Sequence, residues 1–454
     1  MRKNFQEPKG TRDFYPDAMA VRRYIEDAWR RVSIRHGFVE VDGPTFESLD
    51  LYKIKSGDEI VSQLFHFQDR GERELALRPE FTPTLARMIA AKANALPRPV
   101  KWFSIPRCYR AEAPQKGRLR EFIQWNVDLV GDGSPTADQE CLAVCIDALR
   151  ELGLTEQDVR IGWNHRGLMT RALLTFQTPE RIPIGYEILD KLYKLNAAGR
   201  QELYKDKQAL AKEIETFEAL ASAGHPKAEG PVNLEAIAFL PPDVRQEILQ
   251  FTQLLVHGGL GAYATWDVGV VRGIAYYTGF VFEVFDRVGQ NRAVAGGGRY
   301  DNLIELFGGP PLPAIGFGMG DVVLEILLRE KNRLPANLLP RPAVFVVNAL
   351  EDNTAVVRLL ATLRTSVWAP DPAVPGAVCI ARPGLHAITS SKATKNIGKL
   401  LQDAAATGAR FAVILAPAEM ARGVVKLKDL ATRQEAEVPA ATLVEQIHTL
   451  LRGG

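Results

Sequence analysis

The run Asn332 to Pro342, Asn-Arg-Leu-Pro-Ala-Asn-Leu-Leu-Pro-Arg-Pro, limits what this chain can fold into more than any other stretch. Three prolines without helical or strand periodicity make a semi-rigid connector through which neither a helix nor a sheet ladder continues. A chain of 454 residues is also too long for one core, so each side of the connector must bury its own. The expected boundaries are residues 1–330, a linker at 331–341 and a smaller domain at 342–454. Apolar residues at 46% and charged residues at 24% give both sides the composition of ordinary globular domains.

Residues 18 to 36 place Met19, Val21, Ile25, Ala28, Trp29 and Val32 mostly three or four apart, the spacing of an amphipathic helix. His36-Gly37 ends it, and Gly37 to Asp42 alternates as a strand until Pro44 stops the ladder. Leu64 to Leu77 reads as two strands around a charged, Gly-containing turn. After it come Arg78-Pro79-Glu80-Phe81-Thr82 and a helix from Pro83 to Ala93. Two more extended arms, Val100 to Arg110 and Glu121 to Val130, flank the basic loop Pro114-Gln115-Lys116-Gly117-Arg118-Leu119-Arg120.

Residues from about 166 to 258 change character, with helical spacing and alternating charge, and read as a helical insertion. Strand patterning resumes over Asp267 to Val271 and Tyr276 to Phe285. Gly296-Gly297-Gly298 reads as a turn, and a last helix runs from about Asp321 to Arg329. Past the linker, Val344–Val347, Thr354–Leu363, Ile397–Ala406 and Phe411–Leu415 alternate as a small α/β domain.

With 56 Lys and Arg against 54 Asp and Glu, the net charge of +2 excludes a polyanion-coating protein, so nucleic-acid binding must be local. The cysteines are Cys108, Cys141, Cys145 and Cys379. Cys141 and Cys145 lie one helical turn apart without two further ligands nearby, and the seven histidines lack metal spacing. No protein metal site is expected, and the sparse thiols suit a reducing compartment. Met1 to Gly10 is charged without an apolar core, and no apolar run has the roughly 18 residues of a membrane span. A cytoplasmic protein without a membrane partner is the expectation.

Three clusters carry chemistry. In Tyr109-Arg110-Ala111-Glu112 … Arg118-Leu119-Arg120-Glu121-Phe122 … Gln124 … Asp128, an arginine, a cationic loop and a facing aromatic could hold a phosphate and a flat base together. Taken alone, such charge runs are more often simply solvated. Arg272-Gly273-Ile274-Ala275-Tyr276-Tyr277 puts an arginine and two tyrosines between strands. Alternation parts Tyr276 from Tyr277 unless the chain bulges at Gly273. Gly316-Phe317-Gly318-Met319-Gly320 fits neither a dinucleotide fingerprint nor a P-loop.

Taken in order, these segments resemble the class II aminoacyl-tRNA synthetases, and among them the histidyl-tRNA synthetase family. Pro8-Lys9-Gly10-Thr11-Arg12-Asp13 is similar to that family's N-terminal signature, and the helix-strand-Pro44 unit to the dimer-forming first motif. The Tyr109–Asp128 hairpin resembles the second motif, and Arg272 to Gly279 the histidine-specific R-G-x-x-Y-Y segment. Ala295 to Asp301 is similar to the glycine-rich strand that follows it. The likeness resumes from Ser391 to Lys399 and on to Leu430, similar to an anticodon-binding domain.

The resemblance implies an α+β catalytic domain, an antiparallel sheet of six or more strands flanked by helices, with the helical insertion and a C-terminal α/β anticodon-binding-like domain. It implies ATP-dependent activation of L-histidine to histidyl-adenylate and transfer to the 3′ end of histidine tRNA by a homodimer, with Mg²⁺ accompanying ATP. By family match Arg110 and Arg272 meet the α-phosphate. Glu80, Phe81, Thr82, Gln124, Asp128, Arg272, Tyr276 and Tyr277 surround histidine, while Phe122 stacks on adenine and Glu112 approaches its amino group. Two positions depart from the pattern. Val323 stands where the third motif ends in an arginine over adenine, and Ala275 where an aspartate is frequent. Residues 364–383 look like an insertion without a family counterpart. The alternatives are a non-catalytic histidine or tRNA sensor of the regulatory-subunit type and a synthetase for another amino acid. Arg110, Arg272, the C-terminal domain and Tyr276-Tyr277 favour the histidine ligase.

Overall fold

A computed structural model of the chain describes residues 5–56, 58–192, 195–222, 240–271, 277–288 and 292–452. It forms two compact units, Met1–Leu338 and Leu339–Gly454.

The first unit opens with helix α1 (Pro16–Arg35), begun by a proline whose fixed φ suits the first turn. Val21, Ile25, Ala28, Trp29 and Val32 are its buried stripe, and Gly37, at φ 76°, turns the chain out of it. After β1 (Val39–Glu40), a small sheet of β2 (Phe46–Ser48), β3 (His66–Gln68) and β4 (Glu74–Leu77) encloses α2 (Leu49–Ser56) and leads to α3 (Thr82–Lys92). Next come β5 (Val100–Ser104), β6 (Arg107–Tyr109), β7 (Glu121–Val130), α4 (Pro135–Glu151) and β8 (Val159–His165). The helical insertion follows as α5 (Arg166–Leu173), α6 (Ile182–Leu192), α7 (Ala197–Asp206), α8 (Ala211–Ser222) and α9 (Pro242–His257). The chain then returns to β9 (Ala264–Trp266), β10 (Phe280–Asp286), β11 (Ala295–Arg299), α10 (Leu303–Leu306), β12 (Ala314–Gly320) and α11 (Asp321–Glu330).

The main sheet has nine strands in the order β1-β5-β7-β12-β11-β10-β8-β9, with β6 also on β7. Its interior is antiparallel, whereas β1 with β5 and β8 with β9 are parallel pairs at the two edges. Long excursions explain both departures, since each edge strand meets its neighbour only after a crossover through helices. Behind the sheet, Trp29 of α1 stacks on Trp125 at 5.8 Å, and Trp125 Nε1 donates to Ser33 Oγ at 3.0 Å.

Two local expectations are corrected. Asp267 to Val271 is not a strand: β9 ends at Trp266, and Asp267 accepts the Gly269 N–H at 2.9 Å, closing a turn. Gly296-Gly297-Gly298 is not a turn but the middle of β11. A Cβ placed on Gly297 would lie 2.2 Å from the Gly316 carbonyl oxygen, so close strand approach explains the glycine.

The second unit is a five-stranded mixed sheet ordered β16-β13-β17-β18-β19 from β13 (Val344–Asn348), β16 (Ala387–Thr389), β17 (Phe411–Leu415), β18 (Val424–Asp429) and β19 (Glu435–Pro439). Its helices are α12 (Thr354–Arg364), α13 (Ile397–Ala406), α14 (Pro417–Ala421) and α15 (Leu443–Arg452). Residues 364–383 carry the hairpin β14 (Val367–Pro370) and β15 (Val378–Arg382).

Candidate active site

The site is built on β7. Alternation sends Trp125, Val127 and Leu129 into the core behind the sheet and Gln124, Asn126 and Asp128 to the opposite face. Across the ladder, Gly316 stands opposite Asp128 and Gly318 opposite Asn126. A Cβ on Gly316 would lie 2.2 Å from Asp128 Oδ1, and one on Gly318 2.8 Å from Gln124 Nε2. The glycines that fit no nucleotide fingerprint thus clear a floor across which two polar side chains lie. Asp128 is 3% exposed and accepts the hydroxyl of Tyr300, which follows β11.

Above this floor opens a cavity of about 720 Å³ whose lining includes Arg110, Arg118, Phe122, Gln124, Gly318 and Val323. Arg110 follows β6. Its Nε donates to the Pro79 carbonyl at 3.3 Å, and its guanidinium lies 4.9 Å over the Phe122 ring. The phosphate and base partners expected from the sequence therefore share one corner of the cavity. Cys108, two residues before Arg110, is a packed thiol: burial pushes it up to about 12, far from a nucleophile at neutral pH.

The basic loop is held rather than loose. Gln115 and Arg118 exchange both backbone hydrogen bonds at 2.9 Å, Gly117 turns at φ 77°, and Arg118 pairs with Glu112. Burial, then the nearby Arg292 and Arg110, hold the Arg118 guanidinium below its ordinary range. From the N-terminal signature, the Gly10 carbonyl accepts the Arg120 N–H at 2.8 Å, and Arg12 pairs with Asp321 at the start of α11. Asp321 also accepts the Ile123 N–H at 2.9 Å, which ties α11 to β7 between Phe122 and Gln124. Burial raises its carboxyl, opposed by Arg12.

Glu80 and Thr82 are half-buried at the entry to α3, but the Phe81 side chain is wholly buried with Leu85, Tyr277 and Tyr300, leaving only its backbone for a ligand. Tyr277 is 7% exposed. Arg272 and Tyr276 lie outside the described residues. The hairpin thus brings Arg110, Phe122 and Gln124 to one cavity and Glu112 to its rim through Arg118, while Asp128, on the same face of β7 as Gln124, lies against Gly316 and Tyr300 outside the cavity lining.

Sequence reasoning passed over Tyr300, Asp321 and the cavity-lining Arg160, Asp267, Glu283 and Arg292. A signal existed for two of them. Arg160 and Glu283 are single charges inside apolar strand runs, Val159-Arg160-Ile161 and Phe282-Glu283-Val284, where a solvated face would show regular alternation. Arg160 lies 3.3 Å from Asp267 and over the Phe285 ring. Among the described residues no cluster of His, Cys, Asp and Glu is placed to hold a metal ion, and no helix is long and apolar enough to cross a membrane.

Comparison with known proteins supplies the family. Residues 10–321 match the model for histidyl-tRNA synthetase, and residues 384–450 match the model for the anticodon binding domain. A histidine–tRNA ligase of Opitutus terrae is 40% identical over 456 residues, covering 99% of this chain and 98% of the relative. One of Haloarcula marismortui is 34% identical over 450 residues, 96% of each. In three dimensions, the histidyl-tRNA synthetase of Nostoc sp. PCC 7120 superposes with a TM-score of 0.76 at 24% identity, over 99% of this chain and all of that one, a likeness of fold. With a family model over most of its length and full-length relatives in agreement, this chain belongs to the histidyl-tRNA synthetase family of histidine–tRNA ligases.

Proposed function

We propose that the chain activates L-histidine with ATP and transfers it to histidine tRNA in the cavity over β7. A histidine carboxylate oxygen attacks the α-phosphorus, the bond to the bridging oxygen breaks, and pyrophosphate leaves. The terminal ribose hydroxyl of the tRNA then takes the histidyl group and AMP departs. The observation that carries the reading is the convergence of Arg110, Phe122 and Gln124 on one cavity above a glycine floor. A carboxylate meeting a phosphate needs positive charge fixed where negative charge develops. Arg110, beside Phe122 on the cavity, is suited to that role, and Arg272 is assigned the same role.

Gln124, Glu80 and Thr82 are the acceptors for the substrate ammonium. Asp128, oriented by Tyr300, takes an imidazole N–H, with Tyr276 and Tyr277 around the ring. Phe122 offers adenine one ring face, the other being covered by Arg110, and Glu112 its amino-group contact. Mg²⁺ arrives on the outer phosphates. Glu283 on the cavity wall is a hard oxygen donor of the type it accepts, and the ion neutralises phosphate charge when bound.

The second unit is the tRNA-reading one. It carries 13 Lys and Arg against nine Asp and Glu, whereas the first unit is slightly acidic. A homodimer is supported by uncovered apolar side chains around the edge strand β1: Ile34, Val39, Phe46 and Phe67 are 61%, 63%, 50% and 42% exposed. A cytoplasmic location is supported by four free cysteines, three of them buried. No observation favours the sensor alternative over the ligase.

Amino-acid-dependent ATP–pyrophosphate exchange with each of the twenty amino acids tests the reading. Exchange with histidine alone is expected, and exchange with another amino acid or with none rejects it. Removing residues 341–454 is expected to spare exchange while impairing tRNA charging. Sedimentation at the mass of a single chain would contradict the dimer.

A further inference from the structure

Among the described residues four arginines line the cavity, and three are engaged by the chain itself. Arg110 donates to Pro79 and covers Phe122, Arg118 pairs with Glu112, and Arg160 pairs with Asp267. The fourth, Arg292, forms no hydrogen bond or ion pair among the described residues, and its side chain is exposed where the chain enters β11. Neither Asp267 nor Glu283, the carboxylates of the cavity wall, is its partner.

Its side chain lies close to the basic loop and α11. A Cβ placed on Gly117, at the tip of the basic loop, would lie 3.2 Å from Val323 Cγ2 and 3.9 Å from Arg292 Cδ. Loop, α11 and the approach to β11 therefore meet at one point of the mouth. There Val323 is apolar and 8% exposed, and Arg292 brings an unpaired charge to that side, whereas Lys116 of the same loop pairs with Glu330 on α11. Solvated surface arginines spread apart. Here Arg292 stands close enough to Arg118 to disfavour its charge, and Arg110 does the same. Three guanidiniums gathered around a cavity, with Glu112 alone paired to any of them, make a site that a polyanion relieves.

We propose that Arg292 is a phosphate-binding residue of this site, its guanidinium taking the outer phosphates of the bound nucleoside triphosphate, the part that leaves as pyrophosphate. The proposal rests on the ligase reading above. Arg110, deep against Pro79 and Phe122, holds the nucleoside end and the α-phosphate. Arg292, exposed at the mouth beside Arg118, holds the far end. It also places a cation beside Val323, where the third-motif arginine is absent.

The test is calorimetric titration of the full-length chain and its Arg292→Ala and Arg292→Lys variants with ATP, pyrophosphate and AMP. In Arg292→Ala, ATP and pyrophosphate are expected to bind about tenfold more weakly, with AMP within about twofold of the parent. Arg292→Lys recovers part of the loss, because charge is kept and the planar fork is not. Unchanged ATP affinity overturns the proposal. So does an equal loss for ATP and AMP, which would mean that Arg292 shapes the nucleoside pocket. The ligase reading fails separately, by absence of histidine-dependent exchange in the parent chain, and the ATP-against-AMP contrast is read whether or not exchange occurs.

Discussion

The floor of the cavity and its rim are held by different forces. On the floor, Gln124 and Asp128 lie over Gly318 and Gly316, on a strand backed by Trp125, Trp29 and Phe317. The rim consists of ion pairs and cation–π contacts, such as Glu112 with Arg118, whose side chains are 25% and 34% exposed. Close packing admits one arrangement, while half-exposed charges can exchange a protein partner for a ligand at little cost. The division suits the proposed reaction, in which the floor would measure one small amino acid and the rim would admit, hold and release a triphosphate.

The contrast breaks first if the floor can yield. Gly316→Val would set a Cβ 2.2 Å from Asp128 Oδ1 and 2.7 Å from the Val127 carbonyl oxygen, a backbone atom that cannot step aside. Exchange is expected to fall by more than about 10³-fold, beyond the upper end for removal of one transition-state donor, with about 1–3 kcal/mol of destabilisation from overpacking. Appreciable exchange in a folded variant would show that the floor is as adaptable as the rim.

Arg110→Ala comes next, because Arg110 is the rim cation assigned to the α-phosphate. A loss of about 10²–10³ in the rate of exchange is expected at an unchanged unfolding midpoint. A near-normal rate would move α-phosphate stabilisation elsewhere. Glu112→Gln affects the rim alone. Releasing Arg118 is expected to alter the KM for ATP about two- to fivefold, in keeping with a half-exposed pair, and to leave the KM for histidine where it was. A change in the histidine KM would join the regions that the comparison separates.

The hairpin that carries the candidate site was legible in the sequence for a physical reason. Arg110, Phe122, Gln124 and Asp128 sit on two neighbouring antiparallel arms, so their spacing along the chain is their spacing across the site. The glycines of β12 were visible but not interpretable, because their meaning lies in side chains of β7 almost two hundred residues away. The triple glycine of β11 was misread as a turn for the same reason, its neighbours being Phe317 and the Gly316 carbonyl. Arg292 and Asp321 could not be found from spacing at all, since each acts on the hairpin from a distant segment. Val323 was recognised as a departure, yet the cation beside it emerges only when three segments are seen to meet at Gly117.

A final prediction asks whether the floor depends on the helices behind it. At the end of α1, His36 Nε2 lies 3.0 Å from Asp147 Oδ2 and Nδ1 3.4 Å from Glu140 Oε1, both on α4, and Lys101 Nζ lies 2.8 Å from Glu140. The hydrogen bond to Glu140 and then that to Asp147 raise the imidazole against burial, while His36 and Lys101 hold Glu140 down at about 2. A raised histidine contributes stability fully below its unfolded value of about 6.5 and loses it as pH rises through the folded value. The lowered Glu140 contributes fully above about 4.5 and loses it as pH falls towards about 2. The clasp is therefore strongest between about pH 4.5 and 6.5. Thermal unfolding of the parent and His36→Ala should differ by on the order of 1 kcal/mol within that window, at about pH 5, and converge at high pH, the scale of a partly buried ion pair. The histidine KM, measured at the same two pH values, should be the same in both proteins. If it moves with the unfolding midpoint, the floor takes its shape from the α1–α4 layer as well as from the glycines beneath Gln124 and Asp128.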